Sequence, residues 1–201
     1  MEAHGTKELI ERTEEAKHKS RNWTALIISI MAMILAINSV GGGNASKGAT
    51  RHNIEASNFY AFYQAKSIKS HQLKVAAEQL SVFSGLLLNS KTGSKEDHVL
   101  EDLNNRVIEY ANEIYRYESD EESGEGKKQL LEKAKEHEAE RDHALKQDPW
   151  FDFAEGILQI GIVLLSISIL ASMPVLTVVG GLLGVLGAVC MLNGFFLFLP
   201  F

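Results

Sequence analysis

One cysteine stands in 201 residues, Cys190, so no disulfide can form within the chain and the fold cannot draw on an oxidising compartment. Proline is nearly absent too. None occurs between Gly48 and Pro149, and runs of β-branched residues are missing from the same interval. Together these absences exclude a sheet-rich middle and favour long helices. Charge is missing from three stretches. Residues 23–40 hold no charged side chain, 154–173 hold Glu155 alone, and 175–201 hold none. A soluble chain rarely gathers its apolar residues into such blocks. Chemistry is missing as well: there is no glycine-rich phosphate loop, no defensible Ser-His-Asp arrangement and no cysteine outside the apolar runs. No enzyme activity is expected, and no small-molecule substrate is identifiable.

The three charge-poor runs are each long enough to cross about 30 Å of hydrocarbon. The expected fold class is therefore an all-α membrane protein. Three transmembrane helices, at 23–40, 154–173 and 175–199, follow a polar segment at 1–22. A long extramembrane antiparallel helical hairpin, coiled-coil-like, occupies 41–153 between the first and second. The first run is too long for a signal peptide and lacks a small-x-small cleavage site. Lys17, Lys19 and Arg21 crowd its N-terminal flank, against Lys47 and Arg51 beyond it. Basic excess stays inside, which predicts a cytoplasmic N-terminus and an external hairpin. Trp23, Trp150, Phe151 and Phe153 sit at span boundaries, where amphipathic rings anchor. The leader at 6–21 is rich in helix formers and mixed in charge, and reads as a polar helix.

Two heptad-like runs define the hairpin. The first passes through Ile54, Ala61, Ala65, Ile68, Val75, Val82 and Leu86, with Asn58, Gln72 and Gln79 in the gaps. The second is Leu100, Leu103, Val107, Tyr110, Ile114 and Tyr117, whose alternating steps of three and four make a seam. Between them Gly93 suits a helix end, and Ser94 with Asp97 a capping box. Residues 47–94 carry six Lys or Arg and two Asp or Glu, a balance of +4. Residues 95–148 carry nine and seventeen, a balance of −8. Opposite signs favour pairing of the arms, though each exposed pair contributes only about 0–1 kcal/mol. At roughly 1.5 Å per residue, an outward arm over 50–88 needs both 95–120 and 128–147 to return. Residues 122–127 then form a kink or bulge in one returning arm.

The stretch 58–71 concentrates Phe59, Tyr60, Phe62 and Tyr63 with Lys66 and Lys69. Helical spacing puts Phe59, Phe62, Tyr63 and Lys66 on one face and Tyr60 elsewhere. The plain reading is aromatic packing at the hairpin root. A sharper one is a small site for an anion or lipid headgroup. Nucleic-acid binding is not expected beside so much acidic sequence.

This stretch and residues 141–170, with the Asp148-Pro149 and Phe151-Asp152 pairs at their centre, resemble a bacterial membrane-protein family. It is catalogued as a domain of unknown function, number forty-three thirty-seven. The likeness runs from Asn22 to the end. It implies a bacterial inner (cytoplasmic) membrane protein and supplies no activity. It also implies basic residues between the last two spans, where residues 171–175 of this chain carry none.

Glu140 with His143, and Glu15 with His18, form Glu-x-x-His pairs, but a carboxylate-bridged di-iron site needs two further glutamates. The expected topology separates the two pairs, so no metal and no cofactor is assigned. In the second span Asp152, Glu155, Gln159 and Ser166 share one broad face, suited to structural hydrogen bonding or to an ion pathway. In the third, Thr177, Gly181, Gly184, Gly187 or Ala188, and Gly194 make a stripe of small residues that lets helices approach closely. It is assigned to contact with another copy. Ser29, Ala32, Ala36 and Ser39 do the same for the first span. The expected partners are membrane lipid and further copies of the chain. The expected role is a homo-oligomeric structural or interaction protein with an extracytoplasmic helical crown. The alternative is a small channel or transport accessory subunit lined by the polar face of the second span.

Overall fold

The computed structural model describes residues 2–89 and 95–199. It is all-helical, with four helices and no strand among the described residues: α1 (Glu2–Asn89), α2 (Lys95–Glu118), α3 (Lys127–Ala171) and α4 (Pro174–Phe196). Three helices, α1, α3 and α4, are long and apolar enough to cross a membrane. Gly93 and Ser94, the expected helix end and cap, lie outside the described residues. The chain divides into two units, one of Met1–Ala49 with Asp142–Phe201 and the other of Thr50–Arg141.

In the first unit, large side chains fill notches left by glycine. Met31, Leu158 and Leu165 form one buried cluster, flanked by Ile27, Ile28, Ile34, Leu35 and Ile162. Ala45, Phe151, Ala154 and Met191 form another. The backbones of α3 and α4 cross at Gly161 and Gly180. A Cβ on either would lie 3.0–3.1 Å from the other's carbonyl oxygen. The link between these helices is short. Ser172 adopts a left-handed φ of 51°, and Pro174 opens α4, where its missing N–H costs nothing. Ser168, buried, donates to the Met173 carbonyl at 2.7 Å and lies 2.6 Å from the Thr177 hydroxyl. The far end of α4 is closed by buried Asn193. Its side chain accepts from the Leu199 N–H at 2.7 Å and donates back to the Leu199 carbonyl.

Two expected boundaries are not breaks. α1 is helical through 41–43, and a Cβ on Gly41 would strike the rings of Phe151 and Phe195 at 2.7–2.8 Å. Gly41 and Gly42 admit aromatic side chains, and neither ends the helix. α3 likewise continues through Pro149. A proline there forgoes one helical hydrogen bond without ending the helix.

In the second unit α1 meets α2 and then α3 in a fixed order. Ser70 and Lys74 reach Glu118, Lys66 reaches Glu125, and Tyr60 and His52 reach Glu138 and His137. From Lys74 through Lys66 to Tyr60, falling numbers on α1 meet rising partner numbers, Glu118, Glu125 and Glu138. Between α2 and α3, residues 119–126 form a hydrogen-bonded turn. Asp120 accepts from the Ser123 N–H at 3.0 Å, and Lys133 donates to the Gly124 carbonyl at 3.0 Å. Gly124 has a positive φ of 66°, and a Cβ on Gly126 would overlap the Asp120 nitrogen and the Gln129 side chain. Both positions therefore require glycine.

The seam of α2 lies where the heptad predicts: Leu103, Val107, Tyr110, Ile114 and Tyr117 are half-buried, while Val99, Ile108 and Tyr115 face out. The seam of α1 does not. Ile54, Ile68, Val82 and Leu86 are each more than half exposed. The face turned inward carries Ala56, Ser70 and Ser84, all buried, with Phe59 and Tyr63 half-buried. The first heptad run is thus real but turned away from α2 and α3. Small residues win the inner face because they let neighbouring backbones come close, and the large side chains of α2 supply the apolar volume.

Candidate functional site

The aromatic-basic patch proves to be two populations. Phe59 stacks on His137 with ring centroids 5.5 Å apart and planes 10° apart, and the Lys133 ammonium lies 5.9 Å from its ring centre. Tyr60 donates its hydroxyl proton to Glu138 at 2.9 Å. That bond, with desolvation behind it, raises the Tyr60 pKa above its ordinary 10.0. Tyr63 lies under the Lys127 ammonium at 5.7 Å. Lys66 pairs with Glu125 at 3.5 Å and sits 5.9 Å from the Tyr117 ring. Phe62 and Lys69 point outward. The expectation for Tyr60 and Phe62 is therefore reversed. Tyr60 packs inward because its hydroxyl finds a carboxylate there, and Phe62 lies one helical step beyond the packed arc. Lys66 is held by Glu125 beside the Tyr117 ring, so its charge is already paired within the chain.

Glu118 is the polar hub of the second unit. It accepts from Lys127 at 3.0 Å, lies 3.7 Å from Lys74, and accepts from Ser70 at 3.5 Å. The hydrogen bond from Lys127 is the main cause of its lowered pKa, with the charges of Lys127 and Lys74 adding to it against desolvation.

In the first unit the polar face of α3 lies on the surface. Gln159 donates to Glu155 at 3.0 Å, and the Ser166 hydroxyl is spent on the Ile162 carbonyl at 2.8 Å. Asp152 is exposed; burial and the charge of Asp152 together raise the pKa of Asp148. Glu155 thus takes its partner from its own helix.

Three of the four marked glycines of α4 face their own chain. Gly184 receives Met31, whose sulfur is 2.7 Å from where a Cβ would stand; Gly187 receives Leu158 at 2.6 Å, and Gly194 receives Phe151 at 2.9 Å. Gly181 opens onto free space, and its neighbour Gly180 makes the close contact instead, 2.7 Å from Leu165. The space assigned to another copy at Gly184, Gly187 and Gly194 is filled from within, because large residues on α1 and α3 project into it.

One constellation escaped the sequence reading. His52 and Glu55, three residues apart on α1, converge with His137 of α3. The spacing of His52 and Glu55 was visible, but nothing in the sequence aligned His137 with them. Neither Glu140 with His143 nor Glu15 with His18 contributes to it.

The model of the DUF4337 family, a domain of unknown function, matches residues 20–197. The chain belongs to this family. The resemblance seen in residues 58–71 and 141–170 is thereby borne out over nearly the whole length. No curated protein and no solved structure matches it. For this DUF4337 member, function must be argued from the chain itself.

Proposed function

We propose that this protein is a homo-oligomeric structural or interaction protein of the bacterial inner membrane. Its three apolar helices serve as anchors, its N-terminus is cytoplasmic, and residues 41–153 form an antiparallel helical crown outside. The observation that carries this reading is the unpartnered stripe on α1. Ile54, Ala61, Ala65, Ile68, Val75, Val82 and Leu86 repeat at heptad spacing and are turned to solvent for most of their length. Solvated helices keep such stripes when a further helix covers them. Asn58, Gln72 and Gln79 fall at the alternating heptad positions and are exposed. An amide both donates and accepts, so each can pair with its own counterpart across a two-fold axis, which favours a second copy.

The test is the mass of the detergent-solubilised complex. Wild type should exceed the monomer, and Ile68→Glu with Val82→Glu should reduce it to smaller species with unchanged helical content. A monomeric wild type would refute the oligomer. The orientation has its own check. With Cys190→Ala as background, an impermeant thiol reagent applied to intact cells should label Asn89→Cys and spare Ser20→Cys; the opposite pattern inverts the topology.

A second reading rests on the Glu155–Gln159 pair, which is polar and lies on the outer surface of an apolar helix. Such a pair lines a water-filled axis if copies surround it. Conductance in reconstituted bilayers that Glu155→Gln alters would support that channel reading, and a silent wild type would remove it.

A further inference from the structure

The side chains of His52, Glu55 and His137 converge on one point within the second unit. The two Nδ1 atoms stand 2.9 Å apart, and the His137 Nδ1 lies 3.1 Å from Oε2 of Glu55. All three ligand atoms lie within 4.8 Å of one another. We propose that these residues bind a divalent transition-metal ion of the zinc type, clamping α1 to α3.

The donor set is the first argument. Two imidazole nitrogens and one carboxylate oxygen are a set that zinc accepts, typically with water in a fourth position. Calcium and magnesium call for shells of oxygen and are poorly served by imidazole. The spacing is the second. Zinc bound at about 2.0–2.1 Å holds tetrahedral ligands roughly 3.3 Å apart, close to the 2.9 and 3.1 Å that separate the His137 Nδ1 from its two partners. Proton accounting is the third. Three atoms with lone pairs face one another, and neutral rings supply too few protons to satisfy every close pair. If the His52 Nδ1 proton goes to His137, the latter's nitrogen has no proton for Glu55. If His137 keeps its proton, one N–H must serve two acceptors. A cation accepts all three lone pairs at once.

The surroundings suit such an ion. Phe59 stacks on the His137 ring and fixes its plane. Arg51 lies 4.0 Å from Oε1 of Glu55, leaving Oε2 for the cluster. Arg51 also lies 3.3 Å from Nε2 of His52. A metal on Nδ1 puts the ring proton on Nε2, so that contact must open, which the 69% exposure of the Arg51 side chain permits. His137 and Glu55 retain 24% and 41% of their side-chain exposure, so an ion and its water have a path in.

The test uses the full-length protein in detergent after chelator treatment. Titration with zinc chloride followed by calorimetry should show one ion per chain. Thermal unfolding should shift upward by at least about 5 °C at hundredfold excess over Kd. Cobalt in place of zinc should give the intense visible absorption of a four-coordinate site. His52→Ala and His137→Ala should each weaken binding at least about tenfold and abolish that spectrum. Glu55→Gln should weaken it less, and His143→Ala should leave it unchanged. Helical content measured on each variant separates lost ligands from lost fold; should His137→Ala unfold, His52→Gln together with the wild-type cobalt spectrum decides. No single-site binding by wild type, or binding that survives both histidine substitutions, would overturn the proposal.

Discussion

The two units of this chain are both helical, yet they are held together by different means. In the first, contact is made by bulk entering glycine notches: Met31 at Gly184, Leu165 at Gly180, Leu158 at Gly187 and Phe151 at Gly194. Few polar groups take part, and those that do close helix ends, as Ser168 and Asn193 do. In the second, helices are tied by side-chain bridges: Tyr60 to Glu138, Lys66 to Glu125, and Glu118 to Lys127, Lys74 and Ser70. The proposed placement, with the apolar helices of the first unit in lipid and the second unit in water, accounts for the contrast. Helices set in lipid gain nothing by hiding apolar surface from it, so they associate through close approach and dispersion. Helices in water gain by hiding apolar surface, and they can hold charged pairs at their edges because water solvates what protrudes. Asn38 marks the exception in the first unit. It is buried and donates to the Phe151 carbonyl at 2.9 Å, while its Oδ1 has no partner among the described residues.

The contrast can be broken by substitutions chosen in each unit. Ile114→Asp should act most strongly, since a carboxylate in the half-buried seam of α2 costs roughly 3 kcal/mol or more. Chemical unfolding followed by circular dichroism reads it, and a change smaller than that of Ile108→Asp on the exposed side would remove the seam. Gly180→Leu should destabilise the first unit by about 1–3 kcal/mol through overpacking against Leu165 and the Gly161 backbone. Gly181→Leu, one residue away and facing open space, should be nearly silent. Equal melting temperatures in detergent would show that glycine notches do not organise this unit.

Smaller effects sharpen the comparison in the second unit. Glu118 is 44% exposed, so solvent screening limits its contribution to at most about 1 kcal/mol. Its pKa is lower in the folded chain, so the folded state holds the ionised form in preference. That contribution is complete above its ordinary 4.5 and is lost as pH falls through the lower folded value. Wild type should therefore be the more stable protein at neutral pH, and its advantage over Glu118→Gln should vanish on acidification. A gap that stays constant with pH would show that Glu118 acts by packing alone. The smallest effect on stability belongs to Ile68→Glu, within about 0.5 kcal/mol, because the side chain is already exposed. Its consequence should appear in the mass of the assembly. A large loss of monomer stability would mean that the stripe is packed within the chain.

Much of the architecture was legible in residues. Charge-free runs located the apolar segments of α1, α3 and α4. The 3-4 alternation from Leu100 to Tyr117 placed the α2 seam correctly. The glycines of 122–127 suggested a kink or bulge in one returning arm; the structure instead makes 119–126 a turn between two separate helices, α2 and α3, where Gly124 and Gly126 are required. The reading failed where two candidate faces competed. On α1, the stripe of Ile and Val looked more like a core than Ala56, Ser70 and Ser84 do. On α4, Gly181 fitted the small-residue spacing as well as Gly180 does. Hydrophobicity ranks residues by transfer from water, whereas an inner face is chosen by what its neighbours leave room for. The cluster of His52, Glu55 and His137 was out of reach for a related reason: its third member lies on another helix, in a register set by contacts rather than by spacing.

The sequence by itself determined that this chain is helical and where its apolar helices run, because helix propensity and charge-free length act locally and need no partner. It also carried the family, since the matching residues extend over 20–197. Only the tertiary structure decided which face of each helix is covered. A helix presents every face equally until another backbone comes near. The depth of that approach is fixed by pairs such as Met31 with Gly184 and Tyr60 with Glu138, whose members lie far apart in the chain.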